Sequence, residues 1–309
     1  MTNTDTIGID TVLGFTIASR HARGRMARLG PVLDTILGAH AYPAPLARLL
    51  AEALVLAALL GSTLKEADGQ LTLQAQTEQG IVDLLVVDYR GGELRGYIRH
   101  DRARLADHPV NPSLASLFGK GYLAITFDQA ALPGESAGQR YQGIVPLEGA
   151  SLADAVIHYF AQSEQIPSFV RVAVRQEADG RYVAGGLLVQ HLPEGEEGRE
   201  RLHTRLDHPE WEHVEILATT VAADELTDPA LPLDSLLWRL FHEEREVRTL
   251  PAASLSRGCR CSPDYIRSVL ARFPAEEREG MKGEDGLIRV DCEFCARAFP
   301  IPLEDAAAS

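Results

Sequence analysis

Four cysteines carry the plainest chemistry in this chain. Cys259 and Cys261 flank a single arginine in "RGCRCSPDYI", and Cys292 and Cys295 close the C-x-x-C of "DCEFC" thirty residues further on. The other residues of the 309 include no cysteine. A free cysteine normally behaves as a small buried hydrophobe and would be scattered, so two close pairs in the last sixth of the sequence describe one shared site. Four thiolates suit a tetrahedral Zn²⁺, which holds sulfur at about 2.3 Å. The C-x-x-C half comes on a tight turn. The C-x-C half reaches the same ion only if the backbone turns at Arg260, since a helix would splay the two side chains. Arg257, Arg260, Arg267 and Arg297 lie nearby in sequence. Either they favour the thiolate form, or they are solvated residues of a charged segment.

The rival chemistry is a disulfide framework. The start, "MTNTDTIGID", has no basic stretch followed by an apolar run, so a reducing cytoplasm is the expected compartment, where permanent disulfides are rare. A metal site of two close pairs has a further possibility. If an oxidant withdraws electrons, each pair can close on itself, in small rings that gain little from loop closure and are labile. Zinc would then be lost, and with it the folding energy of a small metal-dependent module. Spacing alone leaves both the structural scaffold and the redox switch open.

Other chemistry is sparse. No G-x-S-x-G, Walker loop, G-x-G-x-x-G or H-E-x-x-H occurs, and a zinc with four thiolates keeps no position for a catalytic water, so an enzyme is not expected. The formal charge of −14 lacks the basic excess that phosphate contacts require, which argues against a nucleic-acid partner. His203, His208 and His213 recur at fives and read as solvated surface residues; His158, beside Tyr159 and Phe160, reads as a partly buried helical histidine.

The elements that must position the cysteines follow from pattern. "LLAEALVLAALLGSTLK" contains Glu52 and reads as a buried core helix rather than a membrane span. "GQLTLQAQTE", "GIVDLLVVDYR" and "GELRGYIRH" form a glycine-punctuated meander, and "KGYLAITFD" with "QRYQGIVPLEG" forms another strand pair. Ser151 caps a helix with Asp154 three residues on. "FVRVAVRQEADGRYVAGGLLVQ" gives two strands joined at Asp179-Gly180. The sum is an α+β domain over residues 1–192. Residues 193–250 are more charged, and Asp234 is the expected N-cap of a helix whose Leu236, Leu237, Trp238, Leu240 and Phe241 would pack against the N-terminal sheet. In residues 251–309, Ser262 caps a helix with Pro263 at its first position, and "EDGLIRVDCEFCARAFPI" makes a hairpin with the knuckle at its tip. So short a segment needs a metal staple.

The cysteine pattern "CRCS…DCEFC", together with "YPAPLARLLAEALVLAALL", "RYQGIVPLEG", "YFAQSEQIP", "VAGGLLVQ" and "LLWRLFHEE" in that order, resembles the heat-shock protein 33 family over roughly residues 10 to 300. The resemblance implies a redox-regulated holdase chaperone with an N-terminal α+β domain, a metastable helical linker over 193–250 and a C-terminal zinc domain. It implies Cys259, Cys261, Cys292 and Cys295 as ligands of one Zn²⁺ in the reduced state, with disulfides Cys259–Cys261 and Cys292–Cys295 on oxidation. It further implies unfolding client proteins as partners and a homodimer when oxidised.

Overall fold

Runs of alternating apolar residues build most of the first 192 positions into two sheets. The computed structural model describes residues 8–64, 68–77, 79–107, 112–129, 138–192 and 208–307. In chain order the strands are β1 (Thr11–Ile17), β2 (Ala22–Leu29), β3 (Gln70–Thr77), β4 (Val82–Arg90), β5 (Glu93–His100), β6 (Gly121–Asp128), β7 (Arg140–Pro146), β8 (Ser168–Gln176) and β9 (Tyr182–His191). The first sheet runs β1-β2-β9-β8 and the second β5-β4-β3-β6-β7, all antiparallel. The α+β class, the meander, the β6–β7 pair and the turn at Gly180, with φ of +89°, agree with the sequence. β1 and β2 were not expected; in β2, Arg23, Arg25 and Arg28 interrupt the apolar pattern.

The helix Ala44–Gly61 lies between the sheets, against β2, β8 and β9 on one side and β3, β4 and β5 on the other. It is long and apolar enough to cross a membrane, yet 78% of it is buried inside the fold. That matches its reading as a core helix. Glu52 of this helix does a specific job. Its Oε1 accepts the Ala153 amide at 3.1 Å, at the start of helix Leu152–Tyr159, where Ser151 and Asp154 form the expected capping box.

The outer face of the first sheet is apolar too. Leu13, Phe15 and Ile17 of β1, Met26 of β2, Phe169 of β8, and Leu187 and Val189 of β9 point away from the central helix. Three short helices cover them: Pro209–Thr219, Ala223–Thr227 and Leu233–Phe241. Trp211, Val214, Leu233, Leu236, Leu237, Leu240 and Phe241 are all buried there. Phe241 meets Phe15 with ring centroids 5.7 Å apart. Trp238 departs from expectation: it is 68% exposed, because positions 236, 237, 240 and 241 already fill the inward stripe and 238 falls outside it. Asp234 is also not the cap. Pro232 occupies that position, and Asp234 stands in the first turn, where its charge suits the positive helix end.

Buried polar contacts hold these helices down. Arg28, fully buried, donates Nε to the Leu226 carbonyl at 2.9 Å, Nη1 to Leu231 at 2.6 Å and Nη2 to Glu225 at 2.9 Å. Burial pulls its guanidinium down to about 10, partly opposed by Asp228, so it stays charged at neutral pH. Arg171 Nη1 donates to the carbonyls of Thr219 and Val221 at 2.9 and 2.6 Å. Gly185 of β9 makes the close approach possible, since a Cβ there would lie 2.0 Å from the Leu226 carbonyl oxygen. Glu244 is fixed by Arg20 at 3.0 Å and by His213 at 2.8 Å. His213 lies at the surface as expected, with its side chain 41% exposed, and adds an ion pair to Glu244; His203 lies outside the described residues.

After residue 241 the chain is attached to both sheets. β10 (Arg248–Thr249) and β11 (Ala253–Ser254) pair with β1, and β12 (Ser256–Arg257) runs parallel to β5.

Two tests follow from this packing. Arg28→Met leaves three linked carbonyls without their cation. Amide exchange across 209–241 should accelerate by at least about 30-fold, equivalent to about 2 kcal/mol, while Ala44–Gly61 keeps its protection; equal protection in both would refute the clamp. Glu52 is pushed by burial from 4.5 up to about 7, despite the Ala153 and Leu152 amides pulling it down. The folded chain thus keeps a proton that the unfolded chain has released, so this stability is complete below about pH 4.5 and lost as pH rises through 7. Glu52→Gln should gain about 3 kcal/mol over the parent above pH 7, with the gain fading toward pH 4.5, as read from denaturant midpoints.

Candidate metal centre

The final hundred residues contain one more small core. Helix Pro263–Leu270 follows Ser262, whose side chain accepts the Tyr265 amide, and helix Ala275–Met281 follows Pro274. The hairpin of β13 (Leu287–Asp291) and β14 (Ala298–Pro302) carries the C-x-x-C at its tip, as its sequence suggested. Ile266, Leu270, Ile288, Phe299, Ile301 and Ala306 are its buried apolar residues. Six side chains supply little burial energy for so many ordered residues.

The cysteines sit on one edge of this core. Cys259 and Cys261 lie between β12 and the helix cap; Cys292 and Cys295 bracket the knuckle. There the Cys295 and Ala296 amides donate to the Cys292 carbonyl at 3.2 and 2.8 Å, and Ala296 takes a left-handed φ of +52°. The four Sγ atoms all lie within 4.8 Å of one another. Three separations are 3.2 Å (Cys259–Cys261), 3.6 Å (Cys259–Cys292) and 3.5 Å (Cys261–Cys295). A tetrahedron with 2.3 Å metal–sulfur bonds has edges of about 3.8 Å, whereas a disulfide needs about 2.05 Å. The thiols are free and gathered at coordination spacing. An all-sulfur donor set suits zinc rather than magnesium or calcium.

Their electrostatics calls for a cation. Burial raises Cys259, but the Cys261 amide and the surrounding thiols outweigh it and bring Cys259 down to about 7. Cys261 is pushed up by burial and by the thiols of Cys259, Cys295 and Cys292. Cys292 is also raised by burial, against the pull of the Cys295 and Phe294 amides. Burial thus opposes the thiolate form at Cys261 and Cys292, and positive charge among the sulfurs would favour it. Two of the nearby arginines do not supply it. Arg260 bonds Gln70 and Arg267 bonds Asp264, so both are occupied elsewhere.

Contacts distant in sequence hold this module. Phe294, inside the knuckle, lies 4.0 Å from the Arg95 guanidinium and 5.0 Å from the Tyr97 ring, edge to face. Arg95 is itself anchored by Asp88 at 2.6 Å. The Phe294 carbonyl stands 3.3 Å from His40 Nε2. In the sequence, position 294 is one of two residues between Cys292 and Cys295; only the fold brings β5 beneath it. Phe294→Ala removes a cation–π and an aromatic contact worth about 1–2 kcal/mol together. Exchange at residues 287–302 should rise about tenfold with metal content unchanged, and loss of the metal itself would contradict a docking role.

Comparison with known proteins agrees with this architecture. The family model described as Hsp33 protein matches residues 10–301. The chain is 42% identical over 299 residues to a 33 kDa chaperonin of Caulobacter vibrioides, covering 94% of each. It is 34% identical over 288 residues to the 33 kDa chaperonin of Escherichia coli, covering 92% of this chain and 89% of that one. The crystal structure of the 33 kDa chaperonin (heat shock protein 33 homolog) of Thermotoga maritima matches with a TM-score of 0.75 at 25% identity over 96% of both chains. With its two sheets, central helix and clustered C-terminal thiols, this chain belongs to the Hsp33 family of chaperones.

Proposed function

We propose that the chain is an ATP-independent holdase switched on by oxidation. The observation that carries this reading is the four-thiol cluster, held in a module with a core of six buried residues. In the reduced chain Cys259, Cys261, Cys292 and Cys295 ligate one Zn²⁺, which supplies the folding energy that so small a core lacks. An oxidant such as peroxide takes two electrons from each pair. Sulfur–sulfur bonds form between Cys259 and Cys261 and between Cys292 and Cys295. Two peroxides with four protons are reduced to four waters, and no ligand remains for the ion. The module then loses its fold, Phe294 leaves Arg95 and Tyr97, and residues 193–250 act as a linker that leaves the first sheet.

What that exposes is chemically suited to clients. The face of Leu13, Phe15, Ile17, Met26, Leu187 and Val189 is broad and apolar, so it would accept unfolding proteins by burial rather than by sequence. In this reading residues 1–192 are the chaperone domain and 251–309 the redox switch. The protein works in the cytoplasm, forms a homodimer when oxidised, and neither catalyses a reaction nor engages nucleic acid or membrane.

The test is to oxidise the zinc-loaded protein with peroxide at a mild heat-stress temperature, following zinc release and the aggregation of a denatured client in one sample. Both should change together and reverse with a thiol reductant. Zinc release without client holding would leave the cysteines as a staple on a constitutive binding protein.

A further inference from the structure

We infer a second metal site, separate from the thiols, formed by His191, His208 and Glu210 with His21 beside them, which takes one divalent transition ion such as Zn²⁺, Ni²⁺ or Co²⁺. One ligand atom from each of the first three residues lies within 4.8 Å of the others. The sequence reading took His208 for a solvated residue; the fold brings it against a buried partner.

Two elements set the geometry. His191 ends β9 and is 1% exposed. Its ring lies 5.0 Å from that of His208, centroid to centroid. His21 precedes β2, whose Ala22 is the register partner of His191, and the His21 carbonyl accepts the Leu192 amide at 2.7 Å. The sheet thus sets His21 next to His191. Helix Pro209–Thr219 supplies the others: His208 is its N-cap and Glu210 lies in its first turn. Glu210 Oε2 stands 3.9 Å from His21 Nε2 and is buried without a hydrogen-bond donor among the described residues. A carboxylate oxygen withdrawn from water with no donor is costly, and a cation satisfies it.

The donor set selects the ion class. Imidazole nitrogens with one carboxylate oxygen suit zinc, nickel and cobalt, and no thiol competes. Two features moderate the affinity. His208 Nδ1 accepts the Glu210 amide at 3.3 Å, a long contact that competes with an ion for that nitrogen. The positive end of the helix opposes a cation, offset by Glu210 and Glu212 in its first turn.

The ligands come from the sheet and from the helix that covers it, so the complete set exists only while that helix is docked. Ion at a hundred times its Kd therefore suppresses undocking about a hundredfold. The site would oppose opening of residues 209–219 when free divalent metal is abundant, whatever the state of the cysteines.

The test uses untagged, reduced, zinc-loaded full-length protein carrying Trp238→Phe, so that Trp211, 6.0 Å from the His191 ring, reports alone. Ni²⁺ is titrated while bound nickel, retained zinc and tryptophan fluorescence are followed. One nickel per chain should bind with zinc retained, Trp211 should be quenched, and proteolysis within 209–219 should slow. Glu210→Gln and, separately, His208→Gln should each weaken nickel binding at least tenfold, with Glu210→Gln keeping the metal-free melting temperature. Binding unaltered by both substitutions, or nickel uptake matched by zinc loss, overturns the site. None of these readings depends on client holding, so they stand or fall apart from the holdase proposal.

Discussion

A sheet that is apolar on both faces must be covered twice, and the rest of the molecule follows from that requirement. β9 is buried at every one of its ten positions. The helix Ala44–Gly61 covers one side permanently, because the second sheet closes over it. The other side is covered by helices of 11, 5 and 9 residues. Helices so short are unstable alone in water; their order comes from the face they hide. Helix folding and concealment of that face are one equilibrium seen from two sides.

The cysteine module is joined to the covering helices by a short path. Residues 242–258 separate the last covering helix from Cys259, and along them β10 and β11 add to β1 while β12 adds to β5. The Ser256 and Gly258 amides donate to Gly92 and Leu94 at 3.0 and 2.9 Å. Those bonds hold the chain entering the thiol cluster, and Phe294, between Cys292 and Cys295, holds the second pair. Unfolding of the centre would release both attachments and leave the covering helices supported only by their own contacts.

Much of this was legible in the sequence, for reasons that also explain the gaps. The four thiols could be read because their chemistry needs few residue types at short spacings, and the fold brings together the four expected. The meander, the capping box at Ser151 and the knuckle hairpin are local features, written in alternation, caps and turns. β2 was hidden because alternation fails when a strand's inward position is an arginine, and Arg28 is satisfied only by carbonyls some two hundred residues away. The contacts of Phe294, His208 and His213 escaped local reading for the same reason: their partners are Arg95, His191 and Glu244, and nothing near them in sequence announces those contacts. Trp238 was a local error, a large apolar residue assigned to a stripe that its position on the helix does not reach.

The Arg28 clamp has one more consequence. Its guanidinium binds main-chain oxygens of residues 225, 226 and 231, and Arg171 binds those of 219 and 221. Such a grip recognises the path of the backbone and ignores which side chains it bears. The exposed positions of the covering segment can therefore drift in composition, and its intrinsic helicity can be tuned up or down there, without loosening this grip. Helicity and anchoring thus rest on different residues, one on the covering helices and the other on two arginines in the sheet.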